Sequence, residues 1–214
     1  MAAGKPGGGA RLASRGGRGK STRVKTARGR KPSSTRWLQR QLNDPFVAEA
    51  KRQGYRSRAA FKLTGLDETF KLLRKGLRVV DLGCAPGGWT QVAAEKVGPE
   101  GAVVGIDLKE VEPLAGVTLM VGDMEAADTP DRLKQALGGE ADLVMSDMAA
   151  SSSGHQMTDH LRIMALAEAA LDFAEEVLTP GGAYVAKVLQ GGSEKDLLDR
   201  LKRQDKQARI GVWG

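Results

Sequence analysis

The sequence predicts an α/β domain with a mostly parallel, twisted sheet and helices on both faces, preceded by a basic tail. Three observations carry this. From Leu77 onward short apolar runs alternate with helical periodicities, glycine-rich turns stand where strands give way to helices, and charge is unevenly divided along the chain. The 214 residues leave room for one ordinary domain with an appendage. The formal charge is +7, yet ten of the 33 Lys and Arg lie in residues 1–35, which hold no Asp or Glu. The rest of the chain has 23 basic against 26 acidic residues. A near-neutral body carries a cationic tail.

Residues 1–35 are rich in Gly, Arg, Lys and Ser and poor in bulky apolar side chains, so burial cannot offset the entropy of ordering them. Disorder is expected there, with a role in neutralising phosphates or in solubility alone. Residues 36–214 form the domain, with a basic helical segment over 36–73, the core over 77–204 and an atypical end over 205–214. Asn43-Asp44-Pro45 caps a helix to about Gln53, ended by Gly54, and a second helix runs from about Arg58 to Leu73. Seven basic residues (Arg36, Arg40, Lys51, Arg52, Arg56, Arg58 and Lys62) face only Asp44 and Glu49 in this segment, with Trp37 and Tyr55 nearby. That is the composition of a nucleic-acid surface.

Val79–Leu82 reads as the first strand, Thr90–Val97 as helix, Val103–Asp107 as the second strand and Val117–Val121 as the third. Thr129-Pro130 opens a helix that stops at Gly138-Gly139, and Leu143–Asp147 is the fourth strand. Ile163, Leu166, Ala167, Ala170, Leu171, Ala174, Val177 and Leu178 trace one helical face, ended by Pro180-Gly181-Gly182, and Tyr184–Leu189 is the fifth strand. The whole is Rossmann-like.

Several classes are excluded. No apolar run approaches the ~18 residues of a membrane span. The single Cys84 admits no internal disulfide and is read as a small packing residue. The N-terminus has no apolar signal region, and its eight glycines work against the amphipathic helix of an organellar transit peptide. Cytoplasm is the expected compartment. His155 and His160, five apart in an expected loop without further ligands, suggest no metal.

Doubly wound sheets bind ligands beyond the carboxyl ends of their strands. The first strand ends in Asp81-Leu82-Gly83-Cys84-Ala85-Pro86-Gly87-Gly88-Trp89, Asp107 closes the second and Asp123 the third. Glycines at a strand-to-helix turn admit a ligand to the backbone, Asp107 can accept from ribose hydroxyls, and Asp123 is within reach of an adenine edge. The spacing is not G-x-G-x-x-G, and Pro86 removes an N–H that a pyrophosphate needs, which argues against a nicotinamide dinucleotide. S-adenosylmethionine, with a compact amino-acid end, suits the loop.

Ser57–Leu63 (SRAAFKL), Asp81–Trp89 (DLGCAPGGW), Val144–Ala149 (VMSDMA) and Val185–Gly191 (VAKVLQG) together resemble the FtsJ-type ribosomal RNA ribose methyltransferases, over about residues 35–204. The resemblance implies methyl transfer from S-adenosylmethionine to a ribose 2′-hydroxyl of a uridine in 23S rRNA, in the context of the 50S subunit. It places the family's catalytic residues on Lys62, Asp147 and Lys187, with Lys187 as proton acceptor. Cofactor contacts fall on Gly87, Trp89, Asp107, Asp123 and Asp147. A monomer without an obligate protein partner or membrane is expected.

A lysine takes a proton only when burial and a neighbouring cation lower its reference pKa of ~10.4, whereas a close carboxylate keeps it cationic and makes it an orienting group. Both roles stay open for Lys187. The family's C-terminal S-R-x-x-S-x-E-x-Y stretch has no counterpart after Gln204, and Glu194 is no motif match. The expectation is a shortened end without the closing strands, an unpaired edge on the fifth strand, lower stability and impaired turnover, with the cofactor half intact. A non-catalytic rRNA-binding or ribosome-assembly protein retaining the fold is the alternative.

Overall fold

A computed structural model of the chain describes residues 42–148 and 154–187, together with 29, 34, 35, 38, 39 and 199. Most of the basic tail, Trp37 and Glu194 lie outside the described residues. The chain divides into two compact units, Met1–Asp44 and Pro45–Gly214. In the second, the elements run α1 (Pro45–Arg52), α2 (Ala59–Phe70), β1 (Arg78–Leu82), α3 (Gly88–Val97), β2 (Ala102–Asp107), β3 (Val117–Val121), α4 (Thr129–Leu137), β4 (Ala141–Ser146), α5 (Gln156–Val177) and β5 (Leu178–Ala186).

The five strands form one parallel sheet in the order β3-β2-β1-β4-β5. Strand order reverses between β1 and β4, which opens a crevice above their carboxyl ends. Alternation along each strand sends side chains to two apolar layers. Val80, Leu82, Val104, Ile106, Val144 and Tyr184 pack under α4 and α5. Val79, Val103, Leu143, Met145 and Val185 pack under α2 and α3. Polar anchors fix the helices: Tyr184 donates its hydroxyl to Ala167 O (3.1 Å), while buried Asp67 pairs with Lys96 (3.2 Å) and accepts from Leu73 N–H (2.8 Å). The Rossmann-like expectation holds in all five strands over the described residues and in the layering; the expected end of the fifth strand, 188–189, and the atypical end over 205–214 lie outside them.

Boundaries differ for local reasons. The second helix stops at Phe70, three residues early, because Lys71 takes a left-handed conformation (φ 53°) and donates its N–H to Asp67 O. The fifth strand begins at Leu178 instead of Tyr184. Helix α5 runs straight into it, and a register shift opposite Ala141 and Leu143 absorbs Pro180-Gly181-Gly182. His160 departs more. It was expected in a solvated loop, but lies buried on α5, whose apolar face extends one turn further toward the N-terminus than the periodicity indicated.

Candidate active site

The turn after β1 is held almost entirely by its own backbone. Gly83 and Cys84 both donate N–H to Ile106 O (2.9 and 3.1 Å), and Gly87 donates to Cys84 O (2.6 Å). Ala85 N–H donates to Asp107 Oδ2 (2.9 Å), and the other oxygen of that carboxylate accepts from Lys109 N–H (2.9 Å). Gly83 (φ +70°) sits so close to Met148 that a Cβ would collide with Met148 Cγ. Gly87 (φ +102°) turns the chain into α3. Left-handed backbone at both points favours glycine.

Beneath this turn lies Asp81, only 1% exposed. Its Oδ2 accepts from the Thr90 hydroxyl at 2.5 Å, yet burial, helped by the charges of Asp147 and Asp107, pushes the carboxyl up to about 7. Asp81 was visible as a strand-end acid but was not singled out as a site residue. Period-2 alternation from buried Val79 is the signal that turns it toward α3. Burial also pushes the Cys84 thiol up to about 12, so it stays protonated and packs instead of reacting.

On the outer side, an open cleft of about 570 Å³ is lined by Arg56, Ala85, Pro86 and residues 109–112. Asp107 is tied by its hydrogen bond to Ala85, one of the lining residues, and Asp123 at the next strand end accepts Glu125 N–H (3.0 Å). Each carboxylate oxygen has a second lone pair, so neither acid is closed to a hydroxyl or amine donor. Leu108, directly after Asp107, is 73% exposed, an apolar surface at the strand end that the sequence reading passed over.

On the other side of the reversal point, Asp147 follows β4 and Lys187 follows β5. The Ser146–Ala186 register sets them side by side: Lys187 N–H donates to Ser146 O (2.9 Å), and its Nζ donates to Asp147 O (3.0 Å) and ion-pairs with Asp147 Oδ1. Both side chains are about four-fifths buried, with 17% of Lys187 and 22% of Asp147 exposed. With two positions of Nζ engaged, one has no partner among the described residues and can take a substrate atom.

The remaining expected residues are not part of this pair. Lys62 is exposed on α2 and makes no hydrogen bond or ion pair among the described residues. Trp89 is 4% exposed, packed in the layer under α2 and α3, and its indole N–H donates to Ala59 O (2.9 Å). It anchors the helix that carries Lys62. Among the basic side chains of that segment, Arg52 is paired with Glu49, holding the glutamate down to about 2, and Arg56 is turned toward residues 112 and 113.

The geometry discriminates between nucleotide cofactors. Every N–H of residues 83–87 is engaged within the protein, Pro86 having none, so no phosphate cradle exists in this turn. What remains is the first turn of α3, able to receive one carboxylate, and acids placed for hydroxyl and amine donors. That arrangement fits S-adenosylmethionine and defines the α/β methyltransferase class. Residues 55–210 match the FtsJ-like methyltransferase family, and the chain belongs to it. Ribosomal RNA large subunit methyltransferase E of Paramagnetospirillum magneticum is 65% identical over 193 residues, 88% of this chain and 79% of that protein. The protein of the same name from Xanthobacter autotrophicus is 59% identical over 196 residues, 90% of this chain and 77% of its own length. A solved Plasmodium falciparum structure, described as that of a ribosomal RNA methyltransferase, is 32% identical with a TM-score of 0.64 and covers 70% of this chain and 86% of its own.

Proposed function

We propose that the protein transfers a methyl group from S-adenosylmethionine to the ribose 2′-hydroxyl of a uridine in 23S rRNA, within the 50S subunit. One observation carries the reaction assignment. The Asp147–Lys187 pair lies at the ends of β4 and β5, and β4 adjoins the strand that carries the cofactor turn, so an acceptor oxygen held by Nζ stands beside the cofactor site. The cofactor supplies an electrophilic sulfonium methyl; the protein has to place an oxygen in line with it and take one proton. Asp147 fixes Nζ by two contacts, leaving its third position for the 2′-oxygen. With that N–H donating to the 2′-oxygen, Lys187 has no lone pair for the hydroxyl proton, and the Asp147 carboxylate takes it. Gly87 and the start of α3 would hold the amino-acid end, Asp107 the ribose and Asp123 the adenine edge, and exposed Leu108 would offer the ring an apolar surface.

The acceptor RNA meets the α1–α2 face. Phe46, 60% exposed, lies tilted against Phe61 at 6.3 Å, and Phe61, next to Lys62, meets Tyr55 edge-on at 5.6 Å. Aromatic rings among Lys51, Arg58 and Lys62 suit unpaired bases on a charged backbone. The names of the relatives support the large ribosomal subunit as the source of that RNA. No helix among the described residues is long and apolar enough to cross a membrane. The ribosomal RNA named for the relatives supports a cytoplasmic location, and we propose a monomer. The test is calorimetric titration with S-adenosylmethionine, then transfer of labelled methyl to unmodified ribosomal subunits. Binding with label on a uridine 2′-oxygen is expected. Binding without transfer favours a non-catalytic rRNA-binding role, and no binding by folded protein overturns the reading.

A further inference from the structure

Arg56 belongs by sequence to the basic segment, but its guanidinium is occupied elsewhere. Nη1 donates to Glu112 O and Nη2 to Pro113 O, each at 2.6 Å. These carbonyls belong to the β2–β3 connection, whose residues 109–112 form one wall of the cleft. To reach them the side chain crosses the cofactor turn. A Cβ on Gly87 would stand 3.1 Å from Arg56 Cδ, and one on Gly88 would collide with Ser57 Oγ. The base of the strut is fixed as well. Arg56 N–H donates to Gln91 Oε1 (3.2 Å), and Gln91 Nε2 donates to Gly54 O (3.1 Å), tying the segment down onto α3.

We propose that Arg56 is a positioning residue for the cofactor: a strut that holds the 108–116 connection against the glycine turn and sets the width of the adenosine cleft, instead of a phosphate contact for RNA. The inference rests on the methyltransferase reading above. Two parallel charge-assisted hydrogen bonds to neighbouring carbonyls are a geometry that Lys, with one ammonium, does not reproduce. A Cβ on Gly87 would press on the strut itself, and one on Gly88 on Ser57, the residue that follows it.

The test compares full-length wild type, Arg56→Lys, Arg56→Ala and Gln91→Leu for binding of S-adenosylmethionine by calorimetry and for steady-state methylation of ribosomal subunits. Arg56→Ala is expected to raise the cofactor Kd and KM about tenfold, with kcat at saturating cofactor falling less than about threefold. Arg56→Lys should fall between, and Gln91→Leu should shift Kd in the same direction and less than additively with Arg56→Ala. RNA affinity and its salt slope should not move. Unchanged cofactor affinity in both Arg56 variants overturns the inference. So does a cofactor-independent loss of RNA affinity with the salt slope reduced by about 1, the mark of a phosphate contact. If Arg56→Ala does not fold, Arg56→Lys and Gln91→Leu decide. Wild type that binds no cofactor overturns the functional reading itself, and the inference with it.

Discussion

The two halves of the site are built in different ways. On the cofactor side, position is set by main-chain N–H groups: Gly83 and Cys84 donate to Ile106 O, Ala85 to the Asp107 carboxylate and Gly87 to Cys84 O, all within 25 residues of chain. On the acceptor side, position is set by two side chains from separate strands, Asp147 after β4 and Lys187 after β5, joined by one ion pair. The first half is over-determined, since the Ile106 carbonyl and the Asp107 carboxylate each serve two N–H groups. The second depends on strand register, so losing one partner frees the other. A rigid cofactor frame beside a pair of side chains suits methyl transfer, where the donor must be held and the acceptor oxygen must be aligned as it arrives.

This contrast can be broken by mutation, beginning with the acceptor side. Lys187→Ala should lower methyl transfer by about 10²–10⁴-fold while cofactor affinity in calorimetry stays within about twofold; a matching loss of cofactor binding would erase the division into halves. Gly83→Ala attacks the frame. Positive φ and the collision with Met148 should cost about 1–3 kcal/mol, seen as a melting temperature several degrees lower and weaker cofactor binding. A variant as stable as wild type would mean that the turn is not tightly determined.

A pH series sharpens the picture beneath the frame. Asp81 has a folded carboxyl near 7 against 3.8 as its ordinary value, because burial opposes its charge. The folded state therefore keeps a proton that the unfolded chain releases. Its contribution is fully present below 3.8 and lost as pH rises through 7. Between about pH 4 and 7, urea midpoints of wild type should fall relative to those of Asp81→Asn; a constant difference would mean that the Thr90 hydrogen bond outweighs burial. The smallest effect belongs to the exposed face. Arg52→Ala should move the melting temperature by about 1 °C or less, because exposed ion pairs contribute little, while the salt slope of RNA binding falls by up to about 1.

Much of this was legible in the chain. The strand-end acids Asp107 and Asp123 and the turn from Gly83 to Trp89 were found because strand, turn and helix signals are local. Pro86 correctly indicated a turn poor in donors. What was not legible involved residues far apart. Trp89 stood within a cofactor motif, but its ring is buried under α2 because the first turn of α3 faces that helix. Arg56 read as one more cation, since no local pattern reveals that a side chain crosses Gly87 to residues 112 and 113. His160 was misplaced because α5 begins before its apolar periodicity becomes evident.

By itself, then, the sequence determined the alternation of strands and helices, the glycine turn and the acids that follow each strand, because these depend on φ, ψ and hydrophobic period over a few residues. Tertiary structure alone decided which cations face outward, which carboxyl is buried and held up near 7, and that Asp147 meets Lys187. These follow from parallel register and strand order, which bring together groups separated by 40 residues or more and remove water from between them.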